Sequence, residues 1–264
     1  MRILAIGDIV GRPGRQITAQ ILPTLMREEG IQFVLANGEN AAGGTGITRE
    51  VADELFSLGI DVLTMGNHVW DKKEIFTFIN EERRLVRPLN YPPGTPGQGT
   101  VVLRGPGSTR VAVVNAAGRV FNPINLDCPF RLVEEAAEKL RQETPIILVD
   151  FHAEATSEKM ALGWYLDGKV TAVLGTHTHV QTADERILPG GTAYITDLGM
   201  TGPYNSVIGV EKKEVIERFL SQLPVKFEVA RGPSQFSAVL IDVDEGTGRA
   251  KMIRRILYRQ EKPS

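Results

Sequence analysis

The chain contains four histidines, and every one lies at or just beyond the end of a short apolar run. They occur in Gly66-Asn67-His68, Asp150-Phe151-His152 and Gly175-Thr176-His177-Thr178-His179. Two further apolar runs end in Gly7-Asp8 and Gly38-Glu39-Asn40. Imidazole nitrogens, carboxylate oxygens and carboxamide oxygens are the donors that bind divalent first-row metals such as Mn, Fe and Zn. Taken singly, each cluster has an ordinary explanation. Asp8 would serve as a helix cap, Glu39-Asn40 and Asn67 as polar turns, and His152 as a hydrogen-bonded core imidazole. His177-x-His179 is stronger, because alternate residues of an extended segment point the same way. Jointly, Asp8, Glu39, Asn40, Asn67, His152, His177 and His179 form a nitrogen and oxygen donor set without thiolates. The single cysteine, Cys128, can make neither an internal disulfide nor a thiolate zinc site, and reads as an inert buried thiol.

The elements that must position these residues follow from hydrophobic patterning. Ile3–Ile6, Phe33–Ala36, Val62–Met65, Val111–Val114, Ile146–Val149 and Val170–Leu174 read as buried strands. The carboxyl ends of strands in an α/β sheet are where loops converge to build a site, which is where the polar clusters fall. Thr48 is placed to cap a helix with Val51, Leu55 and Leu58 on one face, and Asp71 with Glu74 resembles a capping box ahead of Ile75, Phe78 and Ile79. Alternating strands and helices predict an α/β fold with a helix-covered sheet. From Val101 onward, and from Val225 to Tyr258, strand-like runs follow one another through Gly105-Pro106-Gly107 and Glu245-Gly246. That pattern favours antiparallel pairing in a second, mixed sheet. Five of the 15 prolines fall between Arg87 and Gly107, in a stretch read as a connector rather than a lid. Gly11-Arg12-Pro13-Gly14-Arg15 lacks the Lys-Ser/Thr of a P-loop and reads as a tight turn, and Gly43-Gly44-Thr45-Gly46 reads either as a plain flexible turn or as one that lets a substrate approach backbone. Trp70 reads as core rather than as a base-stacking platform. Asp150 and Glu154 flank His152, as partners for an imidazole or as plain solvated or capping groups.

No repeat, low-complexity tract or compositional linker divides the chain, so residues 1–264 read as one domain. A net charge of −2 gives no electrostatic case for binding duplex nucleic acid or an anionic membrane surface. No apolar run approaches the roughly 18 residues that span a bilayer, and the N-terminus reads as a strand. The expectation is a cytoplasmic α/β protein.

The five clusters, in order, resemble the motifs of the calcineurin-like metallophosphoesterase superfamily. Two departures stand out: position 10 is Val10 where that superfamily usually has a histidine, and Glu39 with Asn40 replaces the usual bridging aspartate. Both departures are similar to a bacterial branch, the YmdB-like phosphodiesterases. The segments Asp8–Arg15, Asn37–Gly44, Gly66–Asp71 and Asp150–Glu154 resemble that branch as well. The resemblance implies a four-layer α/β/β/α sandwich of two mixed sheets flanked by helices, two divalent metal ions per chain, and hydrolysis of cyclic nucleotides such as 2′,3′-cyclic AMP. Fe or Mn is the favoured metal, with Zn as the alternative.

Carried over residue by residue, the resemblance implies one metal held by Asp8, Glu39, Asn40 and His179 and another by Glu39, Asn67, His152 and His177. Glu39 would bridge them, and a metal-bridging hydroxide would attack phosphorus. His68 is then free of ligand duty and stands as general acid for the departing ribose oxygen. Three other readings stay open: a metallophosphatase acting on phosphomonoesters or other phosphodiesters, a low-turnover nucleotide-sensing regulatory protein, and a structural protein with coincidental histidines. The native metal, the physiological substrate and the choice between monomer and homo-oligomer are also open.

Overall fold

A computed structural model describes residues 1–261 of the chain. Strands β1 (Arg2–Ile6), β2 (Asp8–Ile9), β3 (Phe33–Asn37), β4 (Val62–Thr64) and β5 (Leu85–Val86) come first, with helices α1 (Gly11–Glu29) and α2 (Arg49–Ser57) between them. Strands β6 (Thr100–Arg104) and β7 (Arg110–Ala117), helix α3 (Pro129–Leu140), β8 (Ile147–His152), helix α4 (Thr156–Tyr165) and β9 (Ala172–Thr176) follow. The chain ends with β10 (Arg186–Ile187), β11 (Ala193–Ile195), β12 (Met200–Pro203), helix α5 (Lys212–Ser221), β13 (Ser234–Val243) and β14 (Ala250–Arg259).

These strands make two mixed sheets. The first runs β2-β12-β13-β1-β3-β4-β5, with β14 on the other side of β13; the second runs β10-β11-β9-β8-β7-β6. Alternation along the strands explains the layering. In β1, Ile3 and Ala5 face the second sheet and pack in one apolar layer with Val113, Leu148 and Leu174. Leu4 and Ile6 point the other way, into a layer shared with Ile17 and Leu22 of α1 and Leu55 of α2. On the far face of the second sheet, Val114, Ile147 and Val149 pack under Val133 of α3 and Leu162 of α4. Three apolar layers between four layers of elements give the α/β/β/α sandwich.

Several expectations shift. The turn at Gly105-Pro106-Gly107 does join an antiparallel pair in the second sheet, β6 and β7. The hairpin β13–β14 instead belongs to the first sheet, where β13 pairs antiparallel with β1. Residues Ser234 to Ile241 of β13 are all buried, and only an interior position covers such a run on both faces. Residues 225–233 form no strand. Gly11–Arg15 is the first turn of α1 rather than a separate turn, and Arg15 donates to Ala41 O at 2.7 Å. Thr48 does cap α2 through Val51 N. Asp71 caps nothing: Lys73–Thr77 is a short 3-10 helix without a side-chain cap, and Glu74 accepts from Arg49 N instead. Cys128 is half-buried rather than buried. Trp70 stacks on Phe76 with its ring centroid 5.1 Å away and meets Tyr91 edge-on, against the core. In the proline-rich connector, Arg87 donates to the carbonyls of Pro88, Thr95 and Pro96, so the segment is stapled to itself.

Glycine is required where the backbone of one sheet meets a loop. A Cβ at Gly175 would overlap the Thr196 carbonyl oxygen, at the point where β9 turns into the His177 loop. Gly175→Ala is expected to destabilise by roughly 1–3 kcal/mol, the usual cost of overpacking, read as a fall in Tm by thermal denaturation; an unchanged Tm would contradict the close approach.

Candidate metal centre

Strands β1, β3 and β4 run parallel in the first sheet, and β8 and β9 run parallel in the second. Their carboxyl ends carry the polar clusters and meet at one edge of the sandwich. Around His152 Nε2 lie Asn67 Oδ1 at 3.0 Å, His177 Nδ1 at 2.9 Å and Glu39 Oε1 at 2.9 Å. One imidazole nitrogen carries at most one proton, so three electron-rich neighbours cannot all be satisfied by it. Glu39 Oε1 in fact makes no well-directed hydrogen bond.

A second group adjoins the first. Asp8 Oδ1 lies 3.8 Å from His179 Nε2. Asn40 makes no hydrogen bond to the other six residues; its amide nitrogen donates to Gly44 O at 2.9 Å, which leaves Oδ1 as its unused atom. Six buried side-chain polar atoms lack a hydrogen-bond partner among the described residues, and three of them are Asp8 Oδ1, Glu39 Oε1 and Asn40 Oδ1. Buried oxygens are rarely left so. Lone pairs that converge and go unmatched are what a divalent cation satisfies, so the residues present fit the expected metals.

Neighbouring groups fix which nitrogen of each imidazole faces the centre. Thr176 Oγ1 donates to Asp150 Oδ1 at 2.6 Å, so it can only accept from His152 Nδ1, 3.0 Å away, and Nε2 is left as the donor atom. His179 Nδ1 donates to Ile208 O at 2.8 Å, which turns Nε2 inward. His177 Nε2 lies 3.1 Å from Glu154 Oε2, which turns Nδ1 inward. Asp150 therefore serves His152 through Thr176, whereas Glu154 serves His177 rather than its sequence neighbour. The carboxylate of Asp150 also accepts from Asn37 and Thr64. Its burial pushes its pKa up. His68 is partly exposed beside the centre; its backbone N–H donates to Glu39 Oε2 at 3.1 Å, and its Nδ1 lies 2.9 Å from Asp71 Oδ2.

The loop that carries two of the imidazoles is bent and braced. His177 and His179 have φ of 98° and 66°, in a region that non-glycine residues enter at a cost. Between them, Thr178 donates to Asp197 Oδ2 through both N and Oγ1, at 3.1 and 2.7 Å. The same carboxylate oxygen accepts from Lys159 Nζ at 2.7 Å, and the other from Gly199 N at 2.8 Å. Lys159 and Asp197 are both buried. Sequence patterning missed this ion pair. Lys159 sits in an ordinary helix and Asp197 in a loop, and only the fold brings them beneath Thr178.

Charge in the metal-free centre is distributed accordingly. Burial pushes Asp8 up to about 6, against the opposing pull of His179 and His152. Burial also works against a charged Glu39, yet the adjacent His152 and His68 backbone hold it down to about 2. For His152, burial disfavours the imidazolium, and the Glu39 carboxylate overcomes this to raise it to about 9. Burial and repulsion by His152 lower His177 to about 3. A proton on His152 thus stands where a cation would otherwise offset Glu39.

A family model described as YmdB-like protein matches residues 4–256. The chain belongs to the YmdB-like family. The 2′,3′-cyclic-nucleotide 2′-phosphodiesterase of Bacillus subtilis (strain 168) is 52% identical to it over 261 residues, spanning 99% of this chain and 98% of that protein. A protein of Thermus thermophilus, solved as a hypothetical protein, is 44% identical and superposes with a TM-score of 0.92, covering 100% of both chains. A phosphatase from Mycoplasma pneumoniae is 34% identical with a TM-score of 0.93, covering 100% of this chain and 95% of that one. The YmdB-like chain thus has the metallophosphoesterase-like fold. No helix among the described residues is long and apolar enough to cross a membrane.

Two outcomes are expected. His152 keeps its proton until about pH 9, so a divalent cation bound at pH 7 must displace it. Calorimetric titration in buffers of differing ionisation enthalpy should register about one proton released, and affinity should fall as pH drops from 9 to 7. No proton release would contradict the assignment. Thr178→Val should lower metal content after dialysis and cost about 1–3 kcal/mol in stability, while Thr178→Ser keeps both near wild type; equal behaviour of the two variants would contradict the brace.

Proposed function

We propose that this chain is a dinuclear metal-dependent phosphodiesterase that hydrolyses 2′,3′-cyclic nucleotides. The carrying observation is the convergence of Glu39, Asn67 and His177 on His152 Nε2 beside the unpartnered oxygens of Asp8 and Asn40. Likeness along nearly the whole chain to a 2′,3′-cyclic-nucleotide 2′-phosphodiesterase supports the choice of substrate. Glu39, Asn67, His152 and His177 would hold one ion, and Asp8, Glu39, Asn40 and His179 the other, with Glu39 shared. When bound, two divalent ions supply Lewis acidity that activates water and offsets charge on the phosphoryl oxygens. Fe or Mn suits this mixed nitrogen and oxygen set.

The chain's own residues do the rest. The Asp8 and Glu39 carboxylates set the net charge of the loaded centre near +2, which favours an anionic phosphodiester. Asp71 orients His68 by accepting from Nδ1, which leaves Nε2 free to deliver a proton to the leaving group. As the bond from phosphorus to the ribose 2′ oxygen breaks, that proton passes to the 2′ oxygen. Water supplies the new oxygen on phosphorus, and the product is the nucleoside 3′-phosphate.

His68→Ala is expected to retain its metals and lose about 10²–10⁴ in rate on 2′,3′-cyclic AMP. The loss should be far smaller on bis-p-nitrophenyl phosphate, whose leaving group barely needs a proton. Equal losses on both substrates, or loss of metal, would overturn the general-acid role.

A further inference from the structure

Two cavities open beside the centre, and His68 lines both. The smaller, about 320 Å³, is bordered by Asn67, His177 and the carboxylates of Asp71 and Glu154. The larger, about 640 Å³, shares Asn40, His68 and His179 with the centre. Its remaining wall is largely apolar and includes Val10, Phe219, Phe227 and Val229. The segment from Val207 to Val229, which contains α5, contributes most of that wall.

Three observations give this larger cavity a ligand class. First, its aromatic groups are left open: Phe219 is 74% and Phe227 47% exposed. Exposed aromatic surface that borders a cavity continuous with a reactive centre marks a binding surface. Second, the Asn40 loop meets this wall with bare backbone. A Cβ at Gly44 would come within 3.0 Å of Val229, so glycine there lets the loop pack directly on the wall, and one continuous surface runs from Asn40 to the aromatic end. Third, the polar groups near the aromatic end are committed elsewhere. Gln222 donates to Phe219 O at 2.9 Å, Arg218 donates to Leu223 O at 3.4 Å, and Glu228 lies 3.7 Å from Lys226. What remains to meet a ligand is mostly apolar surface, to which both phenylalanine rings contribute. The smaller cavity is poorly suited to the same task, because the carboxylates of Asp71 and Glu154 border it and it offers one aromatic ring, Phe121, where the larger offers two.

We infer that the larger cavity is a nucleobase subsite, in which Phe227 and Phe219 contact the ring face while the cyclic phosphate lies at the metal centre. The inference rests on the proposed phosphodiesterase reading and adds to it a rule of selection. Recognition acts chiefly on the ring face, so the presence of a base matters more than its identity. Purines are preferred to pyrimidines only modestly, by virtue of their larger stacking surface.

The test uses the metal-loaded full chain and three substrates that share one strained five-membered ring: 2′,3′-cyclic AMP, 2′,3′-cyclic UMP and glycerol 1,2-cyclic phosphate, which has no base. Wild type should give kcat/KM for the two nucleotides within about tenfold of each other, and both well above the baseless diester. Phe227→Ala should reduce the ratio of 2′,3′-cyclic AMP to baseless diester by roughly five- to hundredfold, the usual effect of losing one base–aromatic stack. The change should fall mainly in KM. Adenosine, titrated calorimetrically into the metal-loaded protein, should bind wild type and bind Phe227→Ala more weakly. Equal kcat/KM for nucleotide and baseless diester in wild type would overturn the subsite while leaving the phosphodiesterase reading intact. So would an unchanged ratio in Phe227→Ala alongside a collapse in Phe121→Ala, which would move the base to the smaller cavity. Failure of wild type to hydrolyse any of the three would instead remove the reading on which the subsite rests, and adenosine binding would then decide the subsite alone.

Discussion

A buried carboxylate, Glu39, around which imidazole and carboxamide donors converge governs this structure. Glu39 lies just beyond the carboxyl end of β3, buried, with one oxygen held by the His68 backbone and the other turned toward His152 without a hydrogen bond. Removing such a group from water is expensive unless a positive charge accompanies it. The apolar layers of both sheets stop at this point, and the ends of β1, β3, β4, β8 and β9 are all used to bring donors around it. A proton on His152 offsets the charge in the metal-free chain, but one proton cannot serve Asn67, His177 and Glu39 together. The geometry is that of a cation site.

Around that site many contacts serve only orientation. Asp150 reaches His152 through Thr176, Glu154 reaches His177, and the Ile208 carbonyl fixes His179. The buried pair of Lys159 and Asp197 holds Thr178, and through it a loop whose two histidines occupy unfavourable backbone conformations. Strain of this kind persists only where surroundings over-determine it. Here the surroundings are an ion pair whose loss would leave a buried charge unmatched.

Much of this was legible in the sequence, for identifiable reasons. Buried parallel strands are continuous apolar runs, so the ends of β1, β3, β4, β8 and β9 are readable to within about three residues, and their polar clusters with them. Composition could not reveal that β13 lies inside the first sheet, because its partner β1 stands at the opposite end of the chain and leaves no local trace. Asp71 misleads for a related reason: its spacing to Glu74 fits a capping box, yet the nearest imidazole claims its carboxylate. Glu154 sits beside His152 in sequence and serves His177 instead, since β8 and β9 place the two loops side by side. Lys159 and Asp197 carry no motif. The larger cavity was foreshadowed only by the glycines at 43–46, while Phe227 of its aromatic wall comes from a segment that looked like strand.

The most direct test of the central claim is metal content measured together with turnover. The chain would be stripped of metal, reloaded with Mn²⁺ or Fe²⁺, and assayed on 2′,3′-cyclic AMP while bound metal is counted. The expected result is no hydrolysis when stripped, and hydrolysis that returns as occupancy approaches two ions per chain. Full hydrolysis by the stripped protein, or failure to bind metal at all, would contradict the account.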